Sequence, residues 1–408
     1  MENEMRELRK FVAPEFLLGI GALQTVGAYA RNFGVNNVLI VTDKGVISAG
    51  WVAKVEKSLK DHGLNSVIFS DVTPNPKDYE VMAGADLFLR ESCDLIVAVG
   101  GGSPMDCAKG IGVVSSNQAN IIDFEGVDMV PVPGPPLICI PTTAGTAADI
   151  SQFAIIDDTK RKVKIAIISK SMVPDLSIID PLTTITMSPK LTAETGIDAL
   201  SHAFEAYVSN AGSTITNINA IKAISLINEN LQGAFNEPDN MRYRYQMMVA
   251  SLLAGIAFSN ASLGVVHAMA HSLGGRFDLP HGECNAILLE HAVDYNFKYA
   301  ALKYGDIARA MGIKIDDDLP VSGDYCGCSK AADPVNIPDN YDTVRQMLLE
   351  RIRALRRGVG INTKLCQMGI RREDFPQLAR FALADPCILT NPVMPTQHDI
   401  EEIYGKVF

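Results

Sequence analysis

The sequence predicts an α/β domain with a mainly parallel sheet over residues 1–185, followed by an all-helical domain over residues 186–408. Three observations carry this prediction. Short β-branched runs alternate with helical patterns through the first 180 or so residues, no convincing strand appears from Leu191 onward, and 408 residues exceed what one ordinary core serves. Hydrophobic residues at 47% and charged residues at 20% place both halves in the globular range.

The strand candidates are "NVLIVTD" (Asn37 to Asp43), "SVIFSDV" (Ser66 to Val72), "DLIVAVGGG" (Asp94 to Gly102), "LICIPTT" (Leu137 to Thr143) and "LSIID" (Leu176 to Asp180). Between the first three lie "VAKVEKSLKDHG" and "EVMAGADLFLRES", whose apolar residues recur at three-to-four spacing, so the pattern is that of βαβ units. The character changes over Pro181 to Lys190, where Ser188 and Pro189 fit an N-cap followed by proline at the first helical position. Long Ala/Leu/Ile-rich segments then follow one another. The stretch Lys314 to Asp342 has no period and many Pro, Gly, Asp and Asn residues, which predicts a long surface loop or an ordered insertion. With the segment after it, residues 314–357 are expected to form that insertion.

A net charge of −11 and a pI near 5.2 argue against a nucleic-acid surface, which needs clustered Lys and Arg. The basic run "RIRALRR" (Arg351 to Arg357) is expected to be a solvated helix face. Eight cysteines lack any CxxC pair, and the close pair Cys326 and Cys328 has no second pair to complete a zinc site. They are expected to be reduced thiols. The N-terminal "MENEMRELRKF" has no apolar signal core, and the stretch Met247 to Phe258 is too short to cross about 30 Å of hydrocarbon. A soluble, cytoplasmic protein with no membrane partner is the expectation.

The third strand runs straight into "GGGSPMDCAKGIG", Gly100 to Gly112, which then turns helical. Glycines at such a turn let backbone approach a ligand, and the N–H groups that open the helix make an anion site suited to a pyrophosphate. Neither GxGxxG nor GxxxxGK[ST] is present, so the ordinary dinucleotide fingerprint and the P-loop are absent. In "VTDKG", Asp43 ends the first of these strands, where a carboxylate accepts ribose hydroxyls and repels a 2′-phosphate, favouring NAD over NADP. "PTTAGTAADIS", Pro141 to Ser151, adds hydroxyls after the fourth strand, and ligands of open α/β sheets sit outside the carboxyl ends of the strands. Thr142, Thr143 and Thr146 are therefore candidates to bond phosphate or the nicotinamide amide.

Seven histidines are distributed unevenly. Asp198 and His202 stand four apart on one predicted helix, His267 and His271 four apart on another, and His281 lies in a "DLPHGE" turn after that helix ends at Gly274 and Gly275. One carboxylate with several imidazoles and no thiolate suits Zn²⁺ or Fe²⁺. A catalytic site needs only three or four protein ligands, and spacing does not choose between His267 and His271. His62, His291 and His398 have no such company.

Four of these stretches, "GGGSPMDCAKGIG", "PTTAGTAADIS", "GIDALSHAFEAY" and "SLGVVHAMAHSLGGRFDLPHGECNAILL", occur in the order found in the iron-containing (group III) alcohol dehydrogenases, which the chain resembles from Phe16 to His291. "LADPCILTNPVMPTQHDIEEIY" near the C-terminus extends the likeness. The resemblance implies a nucleotide-binding domain of the dehydroquinate-synthase-like type, a helical metal-binding domain, NAD, and interconversion of alcohols and aldehydes. It also implies homodimers or larger assemblies. By position it implies Asp198, His202, His267 and His281 as metal ligands, with His271 left over. It implies Asp43, Asn75, the turn Gly101, Gly102 and Ser103, Thr142, Thr143, Thr146 and Lys164 as cofactor contacts, and Phe258 in the substrate pocket. Asp149 departs from the family's usual Glu, and residues 314–357 look longer than the usual connection.

On this reading a short primary alcohol or diol gives hydride to NAD while its oxygen is bound by Fe²⁺, Zn²⁺ being the other suitable ion. His271, with an ordinary pKa of about 6.5, is the candidate for passing the released proton to solvent. The alternative keeps metal and cofactor but assigns cyclase or lyase chemistry of the dehydroquinate synthase type. Against it, "ALSHAF" and "VVHAMAH" offer no basic residues for a phosphorylated sugar acid. A third reading, a non-catalytic metal-binding or assembly protein, predicts weak NAD binding or none.

Overall fold

The computed structural model describes residues 10–315 and 340–408. They divide into two compact units, one formed by Val12–Ser188 with Asp239–Met248, the other including Pro189–Pro238 and Val249–Phe408.

In the first unit the strands are β1 (Glu15–Leu18), β2 (Asn37–Val41), β3 (Asn65–Phe69), β4 (Leu95–Gly100), β5 (Gly126–Val127), β6 (Leu137–Pro141), β7 (Phe153–Asp158), β8 (Val163–Ile168) and β9 (Leu176–Ile179). The helices are α1 (Val26–Asn32), α2 (Lys44–Ser48), α3 (Trp51–Asp61), α4 (Asp78–Arg90) and α5 (Gly102–Asn117). Six strands pair in the order β1-β9-β6-β4-β2-β3, every pair parallel. Side chains alternate across such a sheet, so both faces need cover. Val38, Ile40, Val97, Val99 and Ile138 pack with residues of α1 and α3, whereas Leu39, Val41, Ile96, Ala98 and Cys139 pack with α4 and α5. Each such aliphatic side chain taken fully out of water contributes about 1.5–3 kcal/mol before entropy is counted.

The sequence pattern passed over a second sheet, β5-β8-β7, in which β7 and β8 form an antiparallel hairpin. Its runs "FAIIDD" and "VKIAII" are β-branched, but the turn contains no glycine. Lys162 takes the left-handed conformation there, at φ 56°, and Asp158 accepts the N–H groups of Lys160 and Arg161.

No strand occurs after β9 among the described residues. The remaining helices are α6 (Pro189–Val208), α7 (Thr214–Asn236), α8 (Met241–Ala261), α9 (Val265–Phe277), α10 (His281–Asn296), α11 (Ala301–Ala310), α12 (Asn340–Gly358), α13 (Phe375–Ala384) and α14 (Gln397–Lys406). Pro189 is the first residue of α6. In the helical unit α6 packs on α7 and α10, and α9 packs on α10 and α13. Among the described residues no single helix is long and apolar enough to cross a membrane.

Three expectations need correction. Helix α9 does not stop at Gly274 and Gly275 but runs to Phe277, ending at Asp278 in the left-handed conformation. An interior glycine costs only about 1 kcal/mol, which packing on α10 and α13 offsets. His281 is not in a turn but is the first residue of α10, after Pro280. Of the expected insertion, residues 340–357 form helix α12, while residues 316–339, with Cys326 and Cys328, lie outside the described residues. The basic run lies on α12 with Arg351 and Arg357 exposed, as expected of a helix face, and Arg353 there bonds Glu290 of α10 at 2.5 Å and Glu350, while Arg351 bonds Asn228. The six described cysteines are unpaired.

Candidate metal centre and nucleotide loops

The carboxyl ends of neighbouring strands β4 and β6 deliver the loops that the sequence singled out. Gly101 precedes α5 and Gly102 opens it. A Cβ on Gly101 would lie 3.2 Å from Thr143 Cγ2, and one on Gly102 would lie 3.0 Å from Thr146 Cγ2. Backbone therefore lies against the threonine loop in a way that larger residues would push apart. The Thr142 N–H donates to Gly100 O at 2.8 Å, tying the two loops at their base.

Asn75, in the left-handed conformation at φ 55°, donates its N–H to Ser103 Oγ at 3.2 Å and accepts from Lys164 Nζ at 2.7 Å. Three residues far apart in sequence thus form one polar group. Asp43 caps α2, its Oδ1 accepting the Val46 N–H at 2.9 Å. Asp149 accepts from Ser177 Oγ at 2.7 Å, so its shorter carboxylate ties this loop to β9.

Two residues of α5 complete this region and carried no role in the sequence reading. Lys109 is buried and donates to Ser151 O at 2.9 Å and Phe153 O at 2.6 Å, and burial holds its ammonium below its ordinary pKa. Asp106 accepts the Ile155 N–H at 3.2 Å; burial pushes its pKa up to about 6 against the opposing pull of Lys109, that N–H and Lys164. Their i,i+3 spacing in "GGGSPMDCAKG", just after the glycine turn, was the available signal.

In the helical unit α6, α9 and α10 bring Asp198, His202, His267 and His281 together, their ligand atoms all within 4.8 Å of one another. Asp198 Oδ1 lies 3.9 Å from His202 Nε2 and 3.6 Å from both His267 Nε2 and His281 Nε2. Close approach of α10 to α6 makes this possible, since a Cβ on Gly282 would stand 2.5 Å from Glu194 O. Tetrahedral ligands at about 2.1 Å from an ion have edges of about 3.4 Å, so the donor set fits a divalent cation such as Zn²⁺ or Fe²⁺.

The electrostatics agree with that fit. Burial pushes Asp198 upward, yet the three imidazoles hold its carboxyl far below the ordinary range. Burial pulls His267 down, but Glu205 and Asp198 outweigh it and raise its pKa to about 9. Three buried groups and the half-buried His281 are thus arranged around a centre that calls for positive charge.

Glu205 is the residue that spacing had not identified. Its Oε2 meets His267 Nδ1 at 2.5 Å and its Oε1 accepts the Val266 N–H at 2.7 Å. A carboxylate only accepts, so Nδ1 carries the hydrogen and Nε2 presents its lone pair to the centre. The signal was present in "DALSHAFE", where Asp198, His202 and Glu205 stand at i, i+4 and i+7 on one helix face.

His271 is a neighbour held differently. Its Nδ1 lies 2.8 Å from Asp385 Oδ2, and its ring stacks on His281 with centroids 5.2 Å apart. Burial pushes Asp385 up, but His271 and the Cys387 N–H hold it below the ordinary carboxylate range. Burial also lifts the nearby Cys387 thiol far above its ordinary range, so it stays protonated. Phe258 stacks on His202 at 4.3 Å between centroids, and His202 in turn stacks on His267 at 4.5 Å.

This pairing of a parallel-sheet unit carrying a glycine-rich strand-to-helix turn with a helical unit carrying a carboxylate and three imidazoles defines a metal- and nucleotide-linked oxidoreductase class. Residues 13–181 match the family described as iron-containing alcohol dehydrogenase, and residues 192–408 match the C-terminal part of the Fe-containing alcohol dehydrogenase family. The chain is 40% identical over 392 residues to the 1,3-propanediol dehydrogenase of Citrobacter freundii, covering 96% of each. It is 40% identical to alcohol dehydrogenase 4 of Schizosaccharomyces pombe, covering 97% of this chain and 88% of that one. A solved 1,3-propanediol oxidoreductase superposes with a TM-score of 0.89 at 37% identity, covering 98% of this chain and 100% of that one. The chain belongs to the iron-containing alcohol dehydrogenase family, and the family match favours alcohol oxidation over the cyclase or lyase alternative.

Proposed function

We propose that the protein interconverts a short primary alcohol or diol and its aldehyde, using NAD and Fe²⁺. The observation that carries this is the convergent set of Asp198, His202, His267 and His281, the first three buried, with His267 held by Glu205. The relative named 1,3-propanediol dehydrogenase supports the small-diol class.

When bound, the divalent ion supplies Lewis acidity to the alcohol or carbonyl oxygen, and the nicotinamide supplies the hydride acceptor or donor. Asp198, His202, His267 and His281 hold the ion, and Glu205 keeps His267 Nε2 directed at it. The N–H groups of Gly101, Gly102 and Ser103 meet the pyrophosphate. Thr142, Thr143 and Thr146 bond phosphate or the nicotinamide amide, and Asn75 and Lys164 add a further polar contact. Asp43 accepts ribose hydroxyls with lone pairs not taken by Val46, and its charge disfavours NADP. Phe258 provides an apolar wall for a short carbon chain. Asp385 fixes hydrogen on His271 Nδ1, leaving Nε2 to take the alcohol proton and pass it to solvent.

We also read the protein as a cytoplasmic homodimer or larger homo-oligomer, as membership of this family supports. Its partners are small molecules, and net charge −11 argues against nucleic acid. Chelator-stripped protein, supplied with single divalent ions and tested for NADH formation over a panel of small alcohols, tests the reading. Fe²⁺ is expected to restore the highest rate; equal or higher rates with Zn²⁺ would overturn the ion assignment.

A further inference from the structure

We infer that Lys109 is a positioning residue for the cofactor: it anchors the far end of the threonine loop to the helix that the glycine turn opens, and so fixes where Thr143 and Thr146 stand. The inference rests on the nucleotide reading above and adds to it a residue that acts through the loop. That loop joins β6, which ends at Pro141, to β7, which begins at Phe153. From Thr142 to Ser151 every residue is buried except Thr143 and Thr146, which are half-buried. Those two hydroxyls are what the loop can offer a ligand. Both rest against the glycine turn, where a Cβ on Gly101 would stand 3.2 Å from Thr143 and one on Gly102 would stand 3.0 Å from Thr146.

The two ends of the loop are held differently. Its start is tied to β4 by the Thr142 N–H, which donates to Gly100 O at 2.8 Å. Its end is tied to α5 by Lys109, about two turns after Gly102. The ammonium donates to Ser151 O at 2.9 Å and Phe153 O at 2.6 Å, with Ser151 Oγ at 3.4 Å. Lys109 is buried, and Asp106 Oδ1 stands 4.0 Å from its Nζ, beyond hydrogen-bond reach. The charge is therefore directed at main-chain oxygens, and charge-assisted bonds of this kind are the strong ones. Asp149, the loop's other side-chain tie, reaches β9 through Ser177 and not α5. Without the ammonium the loop keeps its start and loses its register on α5, so its threonines sample positions off the glycine turn.

Lys109→Met keeps the bulk of the side chain and removes its donors. In the nucleotide-free protein, amide hydrogen exchange is expected to quicken over residues 142–151 and to stay as in wild type along β2 and β3. NADH affinity, read from its fluorescence, is expected to fall about tenfold, as when the binding-competent loop is populated about one-tenth of the time. AMP, held through Asp43 and lacking the nicotinamide half, is expected to keep its wild-type affinity when it competes with NADH. If Lys109→Met does not fold, Lys109→Gln, whose shorter uncharged amide weakens the same bonds, carries the same comparison. Loop exchange or NADH affinity at the wild-type value, or NADH and AMP weakened by the same factor, would overturn the role of Lys109 and leave the cofactor reading standing. Wild-type protein that binds no NADH would defeat the cofactor reading and this inference with it.

Discussion

Two histidines one turn apart on α9 receive the same kind of partner and come to different ends. His267 has Glu205 on Nδ1 and directs Nε2 at Asp198; His271 has Asp385 on Nδ1 and stacks on His281. Glu205→Gln keeps the size but weakens the hold on His267, so ion affinity is expected to fall about 10–100-fold, measured by chelator competition. His271→Ala is expected to keep the full complement of ion and lose turnover. Loss of ion, or unchanged turnover and pH profile at full ion content, would remove the proton role. Spacing alone placed both histidines on one face and went no further. What separates them is the carboxylate on each Nδ1, supplied by α6 in one case and by the segment after α13 in the other, and no local pattern reports such a partner.

At the scale of elements, the decisive contacts are close approaches between backbones. α10 delivers His281 and Asn285 because Gly282 sits against Glu194 O, where a Cβ would stand at 2.5 Å. Gly282→Ala pushes the start of α10 off α6, which is expected to cost about 1–3 kcal/mol as overpacking and to weaken ion binding. Thermal unfolding with and without ion checks both. The strand and helix periods were legible wherever both faces of the sheet were filled, as in "NVLIV" and "LIVAVG". β1 was not, since its four residues are half exposed at the sheet edge, and neither was the β7–β8 hairpin with its turn free of glycine. His281 was misplaced in a turn because Pro280 reads as a breaker, whereas here it immediately precedes the first helical residue.

For the molecule as a whole, the groups packed beside the glycine turn after β4 bear on stability. Half-buried Asp106 and buried Lys109 lie beside that turn, and the pKa of Asp106 is raised to about 6 from its ordinary 3.8. A carboxyl raised in this way stabilises the fold fully below its unfolded pKa and loses that contribution as pH rises through 6. Asp106→Asn, which cannot ionise, is therefore expected to gain on wild type as pH rises from about 4 to about 6, by up to about 3 kcal/mol. Chemical-unfolding midpoints across that range test it, and a constant difference would contradict it. The change from strand-and-helix to helix-only sequence near Pro181 to Lys190 was legible, because periodicity reports the class of each segment, whereas the grouping of Asp239–Met248 with the sheet unit was not. The network around the candidate metal ligands was not, because it joins residues as far apart as Asp198 and Asn285.

The measurement that tests the central claim most directly is NADH formation from NAD and a short primary alcohol or diol, by chelator-stripped protein before and after anaerobic addition of Fe²⁺. The candidate ligand set Asp198, His202, His267 and His281 predicts negligible rate without the ion and restored turnover with it. Substrate-dependent turnover that is the same in both states would contradict the account.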